Sequence, residues 1–340
     1  MKSLVPIFLI LLLTNAKANV NPLNWSIKGE AGYYHASGSS LLKQTDLISQ
    51  FQGLIKYREN KNNHNWFIEL KTRPEFYGLQ NNLTILKLYG KGQYQHRFSK
   101  FHLSFTLSSQ KNFYLNNNLN LDFSIFKLNS NLLWFYKRRT LFQLSANYFY
   151  RDLDHRFSNS LDAVTLIGKI YQSFSPFGKI GLGAYTEKFK IECDITTFFQ
   201  LGADQNSGWR FGPEVSFNYS RHFVVNINYH FLFHESDLNQ DPDNEQWIQL
   251  LLGKLLSSRW SIFFLGDYYF RHFPEQPDFN NQLIYLPIDN ENNFYLKLAY
   301  DINKEMTLFL NMGYSKENLV YQNLNLSGFK GTVGVEFKKF

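Results

Sequence analysis

The chain has 340 residues and a formal net charge of +7, and 18% of its residues are aromatic. With 34 Phe and 21 Tyr against nine Pro, this composition favours one large all-β domain, because aromatic side chains suit the pleated, half-buried surface of a sheet. The basic residues are scattered among 28 acidic ones, which argues against a nucleic-acid partner. Cys193 is the only cysteine, so no disulfide can form within the chain.

The N-terminus has the features of a secretory signal peptide. Lys2 supplies a positive charge, residues 4–13 form an apolar core, and Ala16-Lys17-Ala18 is a small-x-small cleavage site. The apolar core is too short for a membrane-spanning helix, so an uncleaved anchor is the less favoured alternative. We expect residues 1–18 to be removed and residues 19–340 to be exported as a single domain without a lipid anchor, a plug or a periplasmic repeat domain.

Residues 223–233 show the period that dominates the chain. Every second position is large and apolar, namely Phe223, Val225, Ile227, Tyr229, Phe231 and Phe233. The positions between them include Asn226, Asn228 and His230. A period of two predicts a strand with two unlike faces, and eleven residues are enough for a tilted strand to cross a bilayer.

Short and long interruptions alternate between segments of this kind. The short ones fall at 59–64, 97–100, 137–140, 174–178, 220–222, 256–259 and 302–305. Strands joined alternately by short turns and long polar loops predict an antiparallel barrel. Sixteen strands are predicted, with fourteen or eighteen as alternatives: 25–35, 45–58, 65–76, 84–96, 101–109, 123–136, 141–151, 162–173, 179–191, 209–219, 223–234, 246–255, 260–271, 293–302, 306–315 and 329–340.

Three local features are interpreted separately. The alternation slips near Lys127, which suggests a β-bulge or a late strand start. Residues 195–201 have the composition of further strand. The run Pro74-Glu75-Phe76-Tyr77-Gly78 is interpreted as a plain turn in a short loop on the side of the barrel that carries the long loops.

The signal peptide, the alternating strands, the two kinds of turn and the terminal Phe340 together resemble a bacterial outer-membrane β-barrel protein of the broad porin-like class. The resemblance covers essentially all of residues 19–340. It implies a closed antiparallel transmembrane β-barrel in the Gram-negative outer membrane, in contact with lipid and lipopolysaccharide, as a monomer or a trimeric homo-oligomer. It also implies recognition by the barrel assembly machinery, which in this class reads a terminal aromatic residue. That signal is partial here, because Phe340 is out of phase with Val335 and Phe337.

An exported soluble β-sandwich or propeller also alternates and is the competing fold. The scarcity of Pro in the strands and the stripes of six apolar side chains disfavour it, because such stripes would cause aggregation in water and are the required surface in lipid.

The polar face of the strands supplies the candidate pore-lining residues. These carry both charges: Lys28, Glu30, Glu69, Lys71, Arg73, Arg151, Arg210, Glu214, His230, Asp267, Arg271 and Lys297. Ionised groups at this density need water or partners, and sixteen strands enclose more width than side chains fill. We therefore expect a hydrated lumen, with an interior filled by ion pairs as the alternative.

Two His-x-Ser pairs, His35-Ala36-Ser37 and His234-Glu235-Ser236, raise the hypothesis of a lipid hydrolase, in which the histidine activates the hydroxyl. Neither pair has an identifiable orienting group, so polar rim residues are the favoured interpretation. The acidic loops at 235–245 and 277–291 lack the ligand spacing of a calcium site, and no zinc or phosphate-binding motif is present, so no metal or cofactor is expected.

The sequence thus favours a non-enzymatic outer-membrane channel through which small hydrophilic solutes diffuse. An export or assembly barrel that serves a polysaccharide or a surface protein with a periplasmic partner is the main alternative, and a lipid hydrolase is less favoured.

Overall fold

The computed structural model describes residues 23–36, 45–78, 83–115, 122–153, 159–193, 205–237, 243–272, 290–318 and 325–339. These residues form sixteen strands: β1 (Leu23–Ala36), β2 (Asp46–Lys61), β3 (His64–Tyr77), β4 (Leu83–Arg97), β5 (Phe101–Leu115), β6 (Phe123–Lys137), β7 (Thr140–Leu153), β8 (Asn159–Ser175), β9 (Gly178–Cys193), β10 (Gln205–Ser220), β11 (Phe223–Ser236), β12 (Asn244–Leu255), β13 (Trp260–His272), β14 (Asn290–Asp301), β15 (Met306–Asn318) and β16 (Asn325–Lys339). In the described ranges, no helix has the length and apolarity needed to cross a membrane.

Each strand pairs antiparallel with its sequence neighbours, and β1 pairs with β16 to close the barrel. Closure satisfies the backbone groups that an open sheet would leave at its edges. The predicted closed antiparallel barrel of sixteen strands is confirmed.

Seven short turns lie at one rim, at 62–63, 98–100, 138–139, 176–177, 221–222, 256–259 and 302–305. All seven fall inside the predicted breaks. Asn62 has a φ of 48°, in the left-handed region that asparagine tolerates in tight turns. The start of β1 and the end of β16 lie at the same rim, where Trp25 pairs with Lys339. This rim is called the short-turn rim below, and the opposite one the long-loop rim.

The two faces of each strand differ as a transmembrane barrel requires. On β11, Phe223 and Phe233 point outward and are exposed, whereas Leu232 and His234 point inward and are buried. On β8 and β9, Ile170 and Leu182 are likewise outward and exposed. This outward stripe is the apolar surface that contacts lipid.

The predicted slip near Lys127 is wrong. The pairing of β6 with β5 and β7 runs without interruption through Lys127, and the irregularity on β6 lies between Phe135 and Lys137. The alternation looked interrupted because Phe123 and Ile125 point inward while Phe126 points outward, so both faces of β6 are apolar near the long-loop rim. The predicted strand 101–109 was too short for a different reason, because Gln110, Lys111 and Asn112 are polar on both faces of β5 and interrupt the alternation.

The turn predicted at residues 74–78 is also wrong for residues 74–77. Residues 74–77 complete β3, where Pro74 pairs with Leu86 on its outward face. Glu75 points inward and is buried, so this run contributes to the lumen. The signal peptide, residues 195–201 and Phe340 lie outside the described residues.

Candidate functional site: the charged lumen

The lumen has two unlike halves. Near the long-loop rim, each of β1–β13 contributes at least one buried inward side chain, and these form what we call the buried band: Tyr34, Ile48, Tyr77, Ile85, Tyr114, Phe123, Arg151, Leu161, Phe189, Arg210, His234, Glu245 and Tyr269. Side chains on the wall of a wide, open lumen would be exposed to water, so the members of the buried band are shielded from water at this level. Nearer the short-turn rim, charged inward side chains such as Lys28 and Lys56 are 19% and 41% exposed, although smaller inward side chains such as Ser26, Ser216 and Thr307 are buried there.

Most of the apolar part of the buried band lies on β1–β6. Tyr34, Ile48, Tyr77, Leu83, Ile85, Tyr114, Phe123 and Ile125 form one cluster of buried side chains, against which Phe149 packs. The rings of Tyr34 and Tyr77 meet edge to face with centroids 5.6 Å apart. Such contacts need no water, so this side of the lumen is closed by ordinary core packing.

The polar part of the band centres on Arg210. Its Nη1 donates to Glu187 Oε1 at 2.7 Å and its Nε to Glu245 Oε2 at 2.9 Å, and the Arg210 side chain is only 1% exposed. Tyr185 donates to Glu187 at 2.6 Å, and Tyr269 hydrogen-bonds Glu245. A planar guanidinium with five donors can bridge two carboxylates in this way, which a lysine cannot do with the same geometry.

His234 joins the same network. Its Nδ1 lies 2.6 Å from Glu245 Oε1, and both side chains are fully buried. No partner for this histidine could be predicted, because Glu245 lies on the next strand, at the end of a run with the composition of an acidic loop. A carboxylate that orients a histidine is one element of a catalytic triad. However, His234 and Ser236 lie on the inward face of β11 and point away from lipid, which disfavours a lipid hydrolase at this pair.

The other His-x-Ser pair lies elsewhere. His35 points outward on β1, where its Nδ1 is 2.5 Å from the Thr45 hydroxyl. Ser37 lies outside the described residues. Within those residues, no group of three or more His, Cys, Asp or Glu is placed to hold a metal ion. Residues 238–242 and 277–289 of the two acidic loops are not among the described residues.

A second buried ion pair lies below the Arg210 network, towards the short-turn rim. Glu214 accepts from Lys169, and His230 Nε2 is 3.6 Å from the same carboxylate. The ring of His230 stacks on Trp247 with centroids 4.9 Å apart. Trp247 in turn donates to Asp267 at 3.4 Å, so Glu214, His230 and Asp267 belong to one chain of contacts on β10–β13.

A basic region occupies the opposite wall, on β14–β16 and β1–β4. Lys28 and Lys330 lie 3.4 and 3.8 Å from Glu30 Oε1. Arg73 and Lys87 lie 2.7 and 3.6 Å from Glu75 Oε1. Glu30 also accepts from Thr332 and Asn311, so the few carboxylates of this wall are fully engaged.

The remaining predicted lining residues are distributed along the inward face. Glu69 lies 3.5 Å from Lys56, and Lys71 lies over the ring of Tyr89. Lys297 lies over Phe309, and Arg271 over Tyr269. Arg151 is 5% exposed and belongs to the buried band. The alternation therefore placed all twelve candidates on one face, and their role as pore lining stays a prediction.

Sequence reasoning missed Lys87 and Lys169, and assigned Glu75 and Glu245 to a turn and a loop. Lys169 shares the inward face of β8 with Leu161, Ile167 and Tyr171, which are large and apolar. The rule that the inward face is polar therefore gave no signal there. Lys169 lies four residues after Thr165, a multiple of the two-residue period, and this spacing is the one feature that could have identified Lys169 as an inward residue.

No family model matches the chain, and no curated protein matches its sequence. Among solved structures, CdiB from Acinetobacter baumannii superposes with a TM-score of 0.52 at 8% identity, covering 94% of this chain and 60% of CdiB. This similarity extends to the fold alone. The chain has the fold of a bacterial outer-membrane β-barrel. The fold and the outward apolar surface place this barrel in the bacterial outer membrane.

Two further structures are less similar. The siderophore receptor PirA from Acinetobacter baumannii has a TM-score of 0.45 at 8% identity, covering 95% of this chain and 60% of that receptor. OprB from Pseudomonas putida has a TM-score of 0.45 at 11% identity, covering 93% of this chain and 94% of OprB. The barrel spans about 60% of the length of CdiB and PirA.

Proposed function

We propose that this barrel is a channel for the diffusion of small hydrophilic solutes across the outer membrane. The observation that supports the proposal is the charged inward face of the half nearer the short turns, which is part exposed and accessible to water, so we call it the hydrated half. The Lys56 side chain, for example, is 41% exposed although it points into the barrel. Charged side chains at this density need water around them, and a column of water is what a hydrophilic solute requires.

The buried band limits how wide this pathway is. In barrels of this class the short turns face the periplasm, so the hydrated half opens to that side and the band lies towards the cell exterior. Inward side chains that pack against one another at this level narrow the passage. The proposal is therefore a small-solute channel of low conductance rather than a wide general pore.

The test is a planar-bilayer recording of the refolded full-length protein. We expect discrete current steps above the lipid background, with a small unitary conductance. Protein that is folded by circular dichroism and inserted in the bilayer, yet gives no steps, would contradict the proposal. Liposome swelling with neutral sugars of increasing size would then give the size limit of the passage.

A further inference from the structure

The wall formed by β14–β16 and β1–β4 carries more cations than carboxylates can neutralise. Six basic side chains point into the lumen there, and we call them the basic cluster: Lys28, Lys71, Arg73, Lys87, Lys297 and Lys330. Only two carboxylates, Glu30 and Glu75, form ion pairs with members of this cluster among the described residues. The next carboxylates on the wall are Glu69, which pairs with Lys56, and Glu336, which lies opposite Lys28. When the inward charges of these strands are counted among the side chains that the structure describes, at least ten cations face six carboxylates, so at least four positive charges remain in excess. The further charges counted are Lys56, Arg58, Lys91, Lys338, Asp46 and Asp301.

The charges of the basic cluster lie close enough to interact. Lys330 interacts electrostatically with Arg73 and Lys28, and Lys71 with Arg73 and Lys87. Lys28 also interacts with Lys297. Like charges held together in a partly desolvated site repel each other, and an anion that enters the site would relieve this repulsion.

Lys71 and Lys297 are the two members that form no ion pair with any described carboxylate. Lys71 Nζ lies 5.1 Å from the ring centroid of Tyr89, and Lys297 Nζ lies 5.1 Å from that of Phe309. An aromatic face compensates an ammonium group only in part, by about 0.5–2 kcal/mol. Their charge is therefore directed at the water of the lumen.

The opposite wall is closer to neutrality. There Arg210 is shared by Glu187 and Glu245, and Lys169 is matched by Glu214. The positive field of the basic cluster is therefore not cancelled across the lumen. A lumen with low-dielectric walls and charge of one sign concentrates ions of the opposite sign.

We infer that the basic cluster makes the lumen selective for small anionic solutes, such as those that carry phosphate or carboxylate groups. This inference rests on the proposed channel function and names the class of solute that the channel favours. If the basic side chains served only to pack the wall, removing their charge would leave the ion selectivity unchanged.

The test is the reversal potential of single channels in a KCl gradient. Focused fields of one sign raise the local concentration of counter-ions by about tenfold or more, and salt screens part of this, so we expect Cl⁻ to permeate at least about threefold more readily than K⁺. The double variant Lys71→Gln, Lys297→Gln should bring this ratio close to one. The matched control is Lys100→Gln, Lys304→Gln, which removes the same charge from two exposed short turns outside the lumen and should keep the wild-type ratio.

The outcomes separate the two proposals. A wild-type channel that prefers K⁺, or a lumenal variant whose ratio equals that of the control, would overturn the anion selectivity and leave the channel intact. A folded wild-type protein without conductance would contradict the channel, and the basic cluster is then judged by calorimetric titration with inorganic triphosphate. Binding that is lost in the lumenal variant and kept in the control would support the cluster as an anion site, and absence of binding to the wild type would overturn it.

Discussion

Arg210 compensates two carboxylates that lie on different strands. It belongs to β10, Glu187 to β9 and Glu245 to β12, and all three side chains are buried. A buried ion pair is weak evidence of net stability, because desolvation costs about as much as the attraction gains. Removing one partner has a much larger effect, since the charges left behind are buried without compensation.

We therefore predict that Arg210→Ala strongly destabilises the barrel. Glu187 and Glu245 would lose the guanidinium that they share, which costs about 3–5 kcal/mol of the free energy of unfolding. Denaturant unfolding in lipid vesicles measures this loss. Arg138→Ala, at an exposed short turn, is the control and should change the unfolding free energy by less than about 0.5 kcal/mol. If the two variants changed the free energy of unfolding equally, Arg210 would not compensate the charges of Glu187 and Glu245.

The residue scale also marks the limit of what the sequence alone can predict. The period of two placed Arg210, Glu214 and His230 on the inward face, and this needed no knowledge of their neighbours. Their partners could not be predicted, because contacts such as Arg210 with Glu245 join residues 35 apart in the chain. Those contacts depend on the register of three strands, and a shift of one residue in any of them would separate the groups.

At the scale of the strand, the alternation of polar and apolar residues predicted the two faces reliably where one face contacts water and the other contacts lipid. The strands and the seven short turns were predicted closely, because polar and apolar solvents impose opposite side chains on the two faces. The pattern failed near the long-loop rim, where Phe123 and Ile125 fill the lumen and the inward face is a core. A strand that is buried on one face and bathed in lipid on the other is apolar on both, so it gives no alternation.

The assignment of faces predicts how a strand responds to an introduced charge. Ile170 is 51% exposed on the outward face of β8, five residues from the end of the strand at the short-turn rim. Ile170→Arg should lower the free energy of unfolding by about 2–4 kcal/mol, since the guanidinium would lie within the hydrocarbon. The measurement is equilibrium unfolding in lipid vesicles.

The control for this prediction places the same side chain on the other face. Thr106 lies on β5 at a similar distance from the short-turn rim and points inward, so Thr106→Arg should be tolerated with a change below about 1 kcal/mol. If the two arginine variants are equally stable, the outward face of β8 does not contact lipid and the assignment of faces is wrong.

At the scale of the whole molecule, the hydrated half and the buried band are in series. Any solute that crosses the barrel passes both, so the narrower one limits the current. The basic cluster runs along one wall, with Lys28 and Lys297 nearer the short turns and Arg73, Lys87 and Lys330 nearer the long loops. It would select ions along this wall, whereas the apolar part of the band would set how many pass per second. Selectivity and conductance are thus expected to respond to different substitutions.

Trimming the buried band should therefore raise the conductance without changing its ion selectivity. Tyr114 and Phe123 pack inward with ring centroids 6.3 Å apart, and replacing both with Ala removes two rings from the filled layer. We expect a larger unitary conductance in planar bilayers and an unchanged reversal potential, because an apolar constriction limits the flow of water and ions without discriminating their sign. The matched control is Phe126→Ala, Tyr148→Ala, a ring pair 6.4 Å apart on the outward face, which should keep the wild-type conductance. A lumenal variant that is folded but conducts like the wild type would show that the flow is limited elsewhere than in the band.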